Sequence, residues 1–279
     1  MRTLRTRLLA AALLGLLFSA RAEAQFRVAT PASGENFHVE LGLMFWQPTP
    51  QLLIQTGGLA ALGQTEVDFV QEFAIENKRF KEFRGVIKAG KKHKLRVSHV
   101  LAEYNESAIL RRTISFGGQT FPVSVAATAD LKWEVWRFGY EWDFVAMDRG
   151  VVGFVTELKL NKVSADLAAP GFGSELTEVS APIPTIGMLA RVYPHKTFSL
   201  TAEFTGFKVP GFVAKKLTDA IDEDVEATEW DLDIYGTLNF GSHVGAQLGY
   251  RSLTADYLVD EDAGNLKLKG MYFGGLVRF

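Results

Sequence analysis

The sequence contains no cysteine among its 279 residues. This absence excludes a disulfide framework and any metal site built from thiolates. It also excludes a lipoprotein that is acylated on a cysteine after export. The stability of the chain must therefore come from side-chain packing or from a membrane.

Long hydrophobic runs and basic blocks are missing as well. After residue 24, no stretch approaches 18 consecutive apolar residues, which excludes a helical membrane protein. The formal net charge of −2 comes without a basic block, which argues against a nucleic-acid partner. Aromatic residues are plentiful in contrast, at 12% of the chain, so the apolar surface needs an explanation.

The first 24 residues have the three parts of a secretory signal peptide. A basic start is followed by an apolar run over residues 8–18, which is too short to span a bilayer, and then by the small-residue pattern Ala22-Glu23-Ala24. This order predicts an exported protein that is cleaved between Ala24 and Gln25.

From residue 36 onward, apolar and polar residues alternate with a period of two. In VVGFVTELKL, for example, Phe154, Leu158 and Leu160 share one face, whereas Glu157 and Lys159 share the other. Each such segment is about ten residues long, the length of a tilted strand that crosses a bilayer. The predicted strands cover residues 37–46, 79–89, 93–105, 131–145, 151–163, 182–193, 198–208, 229–240, 243–257 and 266–279.

The connections between these segments alternate between short and long. The short ones are AGKKH, AMDRG, YPHKT and GS, and the long ones cover 47–78, 106–130, 164–181, 209–228 and the smaller 258–265. Short periplasmic turns and long extracellular loops are typical of outer-membrane barrels. We therefore predict an all-β protein, a transmembrane antiparallel up-and-down β-barrel of about ten strands, with eight or twelve as alternatives. The predicted parts are the signal peptide 1–24, a short periplasmic segment 25–35 and the barrel 36–279.

A soluble β-sandwich has the same periodicity, so the apolar face must be examined for what it contacts. One predicted strand presents a wide aromatic band on that face, namely Trp136, Phe138, Tyr140, Trp142 and Phe144. Such a band suits a membrane surface better than a packed core. Aromatic residues at the predicted periplasmic strand ends form an expected interfacial girdle: Phe37, Phe144, Phe198, Phe240 and Phe279.

The chain ends in NLKLKGMYFGGLVRF, an alternating strand whose last residue is aromatic. This end resembles the C-terminal signal of bacterial outer-membrane barrels, a last strand ending in phenylalanine that the barrel insertion machinery recognises. The resemblance implies that Phe273, Val277 and Phe279 act as the insertion signal.

Several longer runs, taken together, resemble one group of uncharacterised, porin-like bacterial outer-membrane barrels. The resemblance covers nearly all of the chain after the signal peptide and implies a single barrel and an outer-membrane location. It carries over no catalytic motif and no ligand. The runs are KKHKLRVSH, ISFGGQTFPVSVAATADLKWEVWRFGYEWDF, DRGVVGF, APIPTIGMLARVY, DIYGTLNF, VGAQLGYRSL and KGMYFGGLVRF.

The inward face of the predicted barrel carries many charges of both signs. In a barrel of about ten strands the lumen is narrow, so buried charges must be paired. We predict a lumen closed by salt bridges and a structural or surface-interaction role, with a narrow channel for small polar solutes as the alternative. The predicted charge network comprises Glu40, Glu82, Arg84, Arg96, Arg137, Glu141, Asp143, Glu157, Lys159, Arg191, Glu203, Asp231, Asp233, Arg251 and Arg278.

A hydrolase site at the outer rim is the less favoured alternative. Of the five histidines, only His99 lies in the middle of a predicted strand, and its neighbour Ser98 points to the opposite face. We therefore predict no enzyme activity, no cofactor and no metal site. Asp260 and Asp262 lie in an acidic loop that lacks the later ligands of a calcium site.

Two regions fit the alternation poorly. His99 lies on an apolar face, and the apolar face changes between Val135 and Trp136, which indicates either a β-bulge or strands that continue above the membrane. The apolar loop 47–78 is expected to fold inward over the barrel mouth or to form extra β-structure.

The expected partners are outer-membrane lipids, lipopolysaccharide and the insertion machinery, and the barrel itself is expected to be a monomer.

Overall fold

The computed structural model describes residues 33–55, 66–208, 225–259 and 262–279. The predicted cleavage site at Ala24 and Gln25 lies outside these residues. Within them, no helix is long and apolar enough to cross a membrane. Besides a 3₁₀ turn at Ser33–Glu35, the elements are β1 (Val39–Gln55), β2 (Val67–Asp68), α1 (Phe69–Phe73), β3 (Phe80–Lys88), β4 (His93–Ile109), β5 (Ile114–Phe116), β6 (Gln119–Phe121), β7 (Ala126–Met147), β8 (Gly150–Ala169), β9 (Gly173–His195), β10 (Phe198–Lys208), β11 (Val225–Phe240), β12 (Val244–Val259) and β13 (Asp262–Arg278).

Ten of these strands form a closed antiparallel barrel. The order around the barrel is β1, β3, β4, β7, β8, β9, β10, β11, β12 and β13, and β13 pairs again with β1. The closing register runs from Glu40 opposite Arg278 to Gln55 opposite Ala263, so no barrel edge is left unpaired along β1. The predicted fold class and strand number are confirmed.

The four predicted short turns all lie at one end of the barrel, which the sequence assigns to the periplasm. They join β3 to β4, β7 to β8, β9 to β10 and β11 to β12, and the longest of them covers only residues 89–92. We call this end the periplasmic end and the opposite one the extracellular end.

The strands extend farther toward the extracellular end than the sequence predicted. β9 has 23 residues, which at about 3.3 Å per residue and a tilt of about 40° gives a height of about 58 Å, more than twice an apolar band of about 25 Å. The prediction of a long loop over residues 164–181 was wrong, because β8 and β9 continue to a tight turn at residues 170–172. Gly171 has a positive φ of 84° in this turn, a conformation that glycine adopts without strain.

The outer surface carries an apolar belt on the periplasmic half of the strands. The aromatic band of β7 faces outward as predicted, with exposed fractions between 37% for Tyr140 and 46% for Phe138. Phe37 is the exception to the predicted girdle, since only 8% of it is exposed. Other outward members of the belt are Leu41, Phe83, Ile87, Leu95, Val97, Leu158, Ile186, Met188, Leu200, Phe204, Ile234, Leu238, Leu248, Met271 and Phe273.

Beyond the belt, in what we call the extracellular half, the polarity of the two faces is reversed. In β7, the inner face carries Arg137 and Glu141 at belt level but Leu131, Trp133 and Val135 above it, all of them buried. Alternation is unbroken between Val135 and Trp136, so a bulge does not explain the change at that point; the strand continues above the membrane. The β7–β8 register shift lies nearer the periplasmic end, between Trp142 and Val145.

The extracellular half is filled by an apolar core and covered by connecting segments. Phe69 and Phe73 of α1 are buried, and the Phe69 ring packs edge-on against Phe116 at 5.6 Å. The described part of loop 47–78 therefore does both things that the sequence allowed. It folds inward through α1 and also adds β-structure, because β1 continues to Gln55 and β2 pairs with it.

Candidate functional site

The lumen at belt level is the region where polar chemistry is concentrated. All fifteen residues of the predicted charge network point into this lumen, and each of them is buried or half-buried. Four further charged residues belong to the network, namely Glu35, Lys88, Lys94 and Glu229. Of these, Glu35, Lys94 and Glu229 were missed by the sequence reasoning.

Two fully enclosed carboxylates form the centre of the network. Glu82 accepts from Arg84 at 2.9 Å and from Arg251 at 3.1 Å, and it also pairs with Arg137. Asp231 contacts Arg251 at 2.7 Å and Arg137 at 3.1 Å. The two carboxylates thus share two arginines, which ties β3, β7, β11 and β12 together across the lumen.

Lysine and tyrosine side chains extend this centre toward the barrel wall. Lys159 has no exposed surface and lies 3.2 Å from both Asp231 and Glu229. Asp233 accepts from the Tyr272 hydroxyl at 2.8 Å and lies 3.1 Å from Arg84. The carboxylates therefore have cation or hydroxyl partners, as buried charges require.

A second group of ion pairs lies closer to the periplasmic end. Lys94 contacts Glu141 at 2.8 Å and Asp143 at 2.9 Å. Arg96 donates to both carboxylate oxygens of Glu203, at 2.8 and 2.9 Å. Another ion pair joins the first and last strands of the barrel, since Arg278 Nε on β13 lies 2.5 Å from Glu40 on β1.

The 3₁₀ turn before β1 places Glu35 in the periplasmic mouth. Its carboxylate pairs with Arg191, lies 3.3 Å from Lys94 and 3.4 Å from Lys88, and accepts from the Tyr193 hydroxyl at 2.8 Å. Burial alone would raise the pKa of Glu35, but the positive charges of Arg191, Lys94 and Lys88 hold it well below its ordinary value of 4.5. Glu35 is therefore expected to stay ionised in the periplasmic mouth at neutral pH.

Little open space remains between these ion pairs. A cavity of about 80 Å³ lies next to Arg84, Arg96, Glu203 and Tyr235, which is room for a few water molecules. At the periplasmic mouth the Phe37 ring is covered by the Lys88 ammonium and the Arg278 guanidinium, at 5.4 and 5.6 Å. Above the network, the apolar core of the extracellular half fills the lumen.

The residues considered for a rim hydrolase are not brought together. His38, His93, His195 and His243 lie at the periplasmic end. His99 lies on the outer wall, where its Nε2 is 2.8 Å from Glu134 and its ring is 4.2 Å from that of Trp136.

Ser98 and His99 do not form a nucleophile and base pair, because they lie on opposite faces of β4. Ser98 lines the lumen cavity on the face opposite His99. The described residues contain no group of three or more metal-ligating side chains. Asp260, one of the two aspartates of the acidic loop, lies outside these residues.

Comparison with known proteins places the fold but not the activity. No protein-family model matches the sequence, and the search of curated proteins finds no match. Among solved structures, the chain is similar to the outer membrane protease OmpT of Escherichia coli, with a TM-score of 0.54 and 7% identity over 86% of this chain and 96% of that one. Weaker likenesses are to Ail, the attachment invasion locus protein of Yersinia pestis (TM-score 0.37, 12% identity, 87% and 99% covered), and to the Pseudomonas putida toluene transporter TodX (0.32, 8%, 90% and 93%).

At such low identity these likenesses concern the fold alone, and the fold agrees with the outer surface of the molecule. A closed antiparallel barrel that exposes a continuous apolar belt, with a charged lumen inside it, is built for contact with lipid. The chain is an outer-membrane β-barrel.

Proposed function

We propose that this barrel does not conduct and that it has a structural or surface-interaction role. The observation that carries the proposal is the closed lumen. Ion pairs fill it at belt level, Glu35 and Phe37 lie in the periplasmic mouth, and an apolar core fills the extracellular half. A solute would have to break several buried ion pairs and displace a packed core to pass.

The extracellular half supports the surface-interaction part of the proposal. It has its own core, in which Leu131, Trp133, Leu167 and Leu253 are buried. A packed core holds the outer loops on a rigid base well above the membrane, which is useful for presenting a surface. No hydrolytic activity is proposed, because the described extracellular end carries none of the five histidines.

Insertion and assembly form part of the same proposal. Phe273, Val277 and Phe279 all face outward on the last strand or directly after it, where insertion machinery that receives the growing barrel edge would reach them. We propose that these residues are the insertion signal, that the barrel is a monomer, and that outer-membrane lipids and lipopolysaccharide surround it.

A narrow channel is the second candidate, and the polar cavity beside Arg96 and Glu203 favours it. Planar-bilayer recording of the purified, folded protein separates the two. We expect no steady unit currents from the wild-type barrel. Reproducible unit currents with a defined reversal potential in a salt gradient would contradict the closed lumen and support the channel.

A conducting outer-membrane porin reconstituted in the same bilayers serves as the positive control for the recording, because removal of a single ion pair would leave the apolar core of the extracellular half in place. Heat-dependent gel migration verifies that both proteins are folded before the recording.

A further inference from the structure

Four cationic side chains lie together on the outer wall at the extracellular edge of the belt. Lys81 lies on β3, Lys267 and Lys269 lie on β13, and Arg79 directly precedes β3. The strand β1 lies between them, with Phe45 opposite both Lys81 and Phe273, and Thr49 opposite Lys269. The patch formed by Arg79, Lys81, Lys267 and Lys269 is called the cationic patch below.

These four cations differ from two lysines on the outer wall of β7 and β8. Elsewhere on the outer wall, Lys132 lies 3.3 Å from Glu103 and Asp130, and Lys162 lies 3.0 Å from Glu178. Within the described part of the chain, no carboxylate lies within 4.0 Å of any cation of the patch. Among the described residues, the positive charge of the patch therefore has no carboxylate partner and is available to whatever adjoins the belt.

A groove of about 550 Å³ lies directly beside the patch. Its walls are mainly apolar, with Phe45, Tyr250, Met271 and Phe273, and Lys269 lies at its polar side. The rings of Phe45 and Phe273 are 5.6 Å apart, and the Arg79 guanidinium lies 5.4 Å above the Phe273 ring. An amphiphile with an anionic head and a fatty chain matches this combination of surfaces.

We propose that the cationic patch and the groove bind lipopolysaccharide, with the phosphates of its lipid A part on the cations and one acyl chain in the groove. The patch spans β3, β1 and β13, and neighbouring strands are about 4.8 Å apart, so the cations extend over about 10 Å across the strands. Along the strands they extend over about 20 Å, from Lys81 opposite Phe45 to Lys267 opposite Gln51. An area of this size suits the two phosphates of lipid A better than a single phosphate. The inference gives the lipopolysaccharide contact of the proposed function a defined site, and it rests on the assignment of this end to the cell exterior.

Binding of purified lipid A to the folded protein in detergent tests the proposal. The patch variant combines Arg79→Gln, Lys81→Gln, Lys267→Gln and Lys269→Gln, and the matched control combines Lys132→Gln and Lys162→Gln on the other side of the barrel. We expect the Kd for lipid A to rise by about 10- to 100-fold in the patch variant, because charged hydrogen bonds to phosphate are lost, and by less than about twofold in the control. Equal affinity of the patch variant and the wild type overturns the proposal.

Three competing ligands identify the source of the phosphate. Dephosphorylated lipid A is expected to bind the wild type about as weakly as the patch variant binds lipid A, whereas phosphatidylglycerol and inorganic phosphate should compete poorly. Competition by either at concentrations similar to lipid A would show a general anion site and would overturn the assignment to lipopolysaccharide. The result is independent of the planar-bilayer recording, since the lumen is closed or open whether or not the outer wall binds this lipid.

Discussion

Replacing Glu82 with alanine is expected to lower the free energy of unfolding by about 3–5 kcal/mol, the usual cost of removing one partner from a buried ion pair. The Glu82 side chain has no exposed surface and contacts Arg84, Arg137 and Arg251. Without it, these three arginines share fewer carboxylates in a lumen that water barely enters. The expected loss reflects uncompensated positive charge more than the lost attraction itself.

Glu178→Ala provides the matched control for this prediction. Glu178 also pairs with a cation, Lys162 at 3.0 Å, but 46% of its side chain is exposed, so its removal should cost no more than about 1 kcal/mol. Urea-driven unfolding in lipid vesicles, followed by tryptophan fluorescence, measures both variants on one scale. Equal losses for Glu82→Ala and Glu178→Ala would mean that the lumen is well hydrated, contrary to the closed barrel.

Replacing Leu158 with arginine is expected to cost about 2–4 kcal/mol, as charged substitutions do on the lipid face near the bilayer midplane. Leu158 lies on β8 within the belt and has 43% of its surface exposed. This exposure is to hydrocarbon in the folded protein, and a guanidinium there loses its hydration. The same unfolding experiment in vesicles measures the loss.

Ser164→Arg is the control, because Ser164 lies six residues farther along the same strand and on the same face, above the belt. Arginine at this position meets water or headgroups, so we expect a change within about 1 kcal/mol. Similar costs at the two positions would place the membrane at a different height on the barrel or remove it altogether.

The number and order of the barrel strands could be predicted because lipid imposes the same rule on every strand. At belt level, an apolar face points outward and a polar face points inward, so the period of two is clear in β8, β10 and β11. The short turns at the periplasmic end then fix the antiparallel order. Neither argument depends on which residues meet across the lumen.

The same rule explains where the sequence reasoning ended each strand too early. In β8, the apolar residues Leu158 and Leu160 face outward, but Val163, Ala165 and Leu167 face inward and are buried. The strand keeps its alternation, but the apolar residues change from the outward face to the inward face. A search for one continuous apolar face stops at this exchange, although the exchange itself marks the edge of the membrane.

The partners within the lumen could not be predicted from the pattern. Alternation assigns a residue to a face, but Glu82 and Arg251 are 169 positions apart in the chain, and only the closed barrel brings them together. Lys94 could have been found, since it shares a face with Arg96 in β4. Glu35 precedes the first strand, where no alternation exists to indicate its direction.

Phe37 shows a further limit of reasoning from spacing alone. Its position before β1 fits an interfacial aromatic residue, yet its ring turns into the mouth of the barrel, where Lys88 and Arg278 cover it. The attraction between cations and an aromatic face, together with burial, outweighs contact with the membrane interface at this position. The residues around Phe37 in the sequence do not indicate where Lys88 and Arg278 lie in the folded barrel.

The central claim is that a lipid-facing belt surrounds a closed lumen, and quenching of tryptophan by brominated lipid acyl chains tests it most directly. Trp136 and Trp142 face outward in the belt with 40% and 45% of their surfaces exposed, whereas Trp46 faces inward with none exposed, beside the outward-facing Phe45. In variants that keep a single tryptophan, we expect strong quenching of Trp136 and Trp142 and almost none of Trp46. Equal quenching at all three positions, or no quenching at any, would contradict the account.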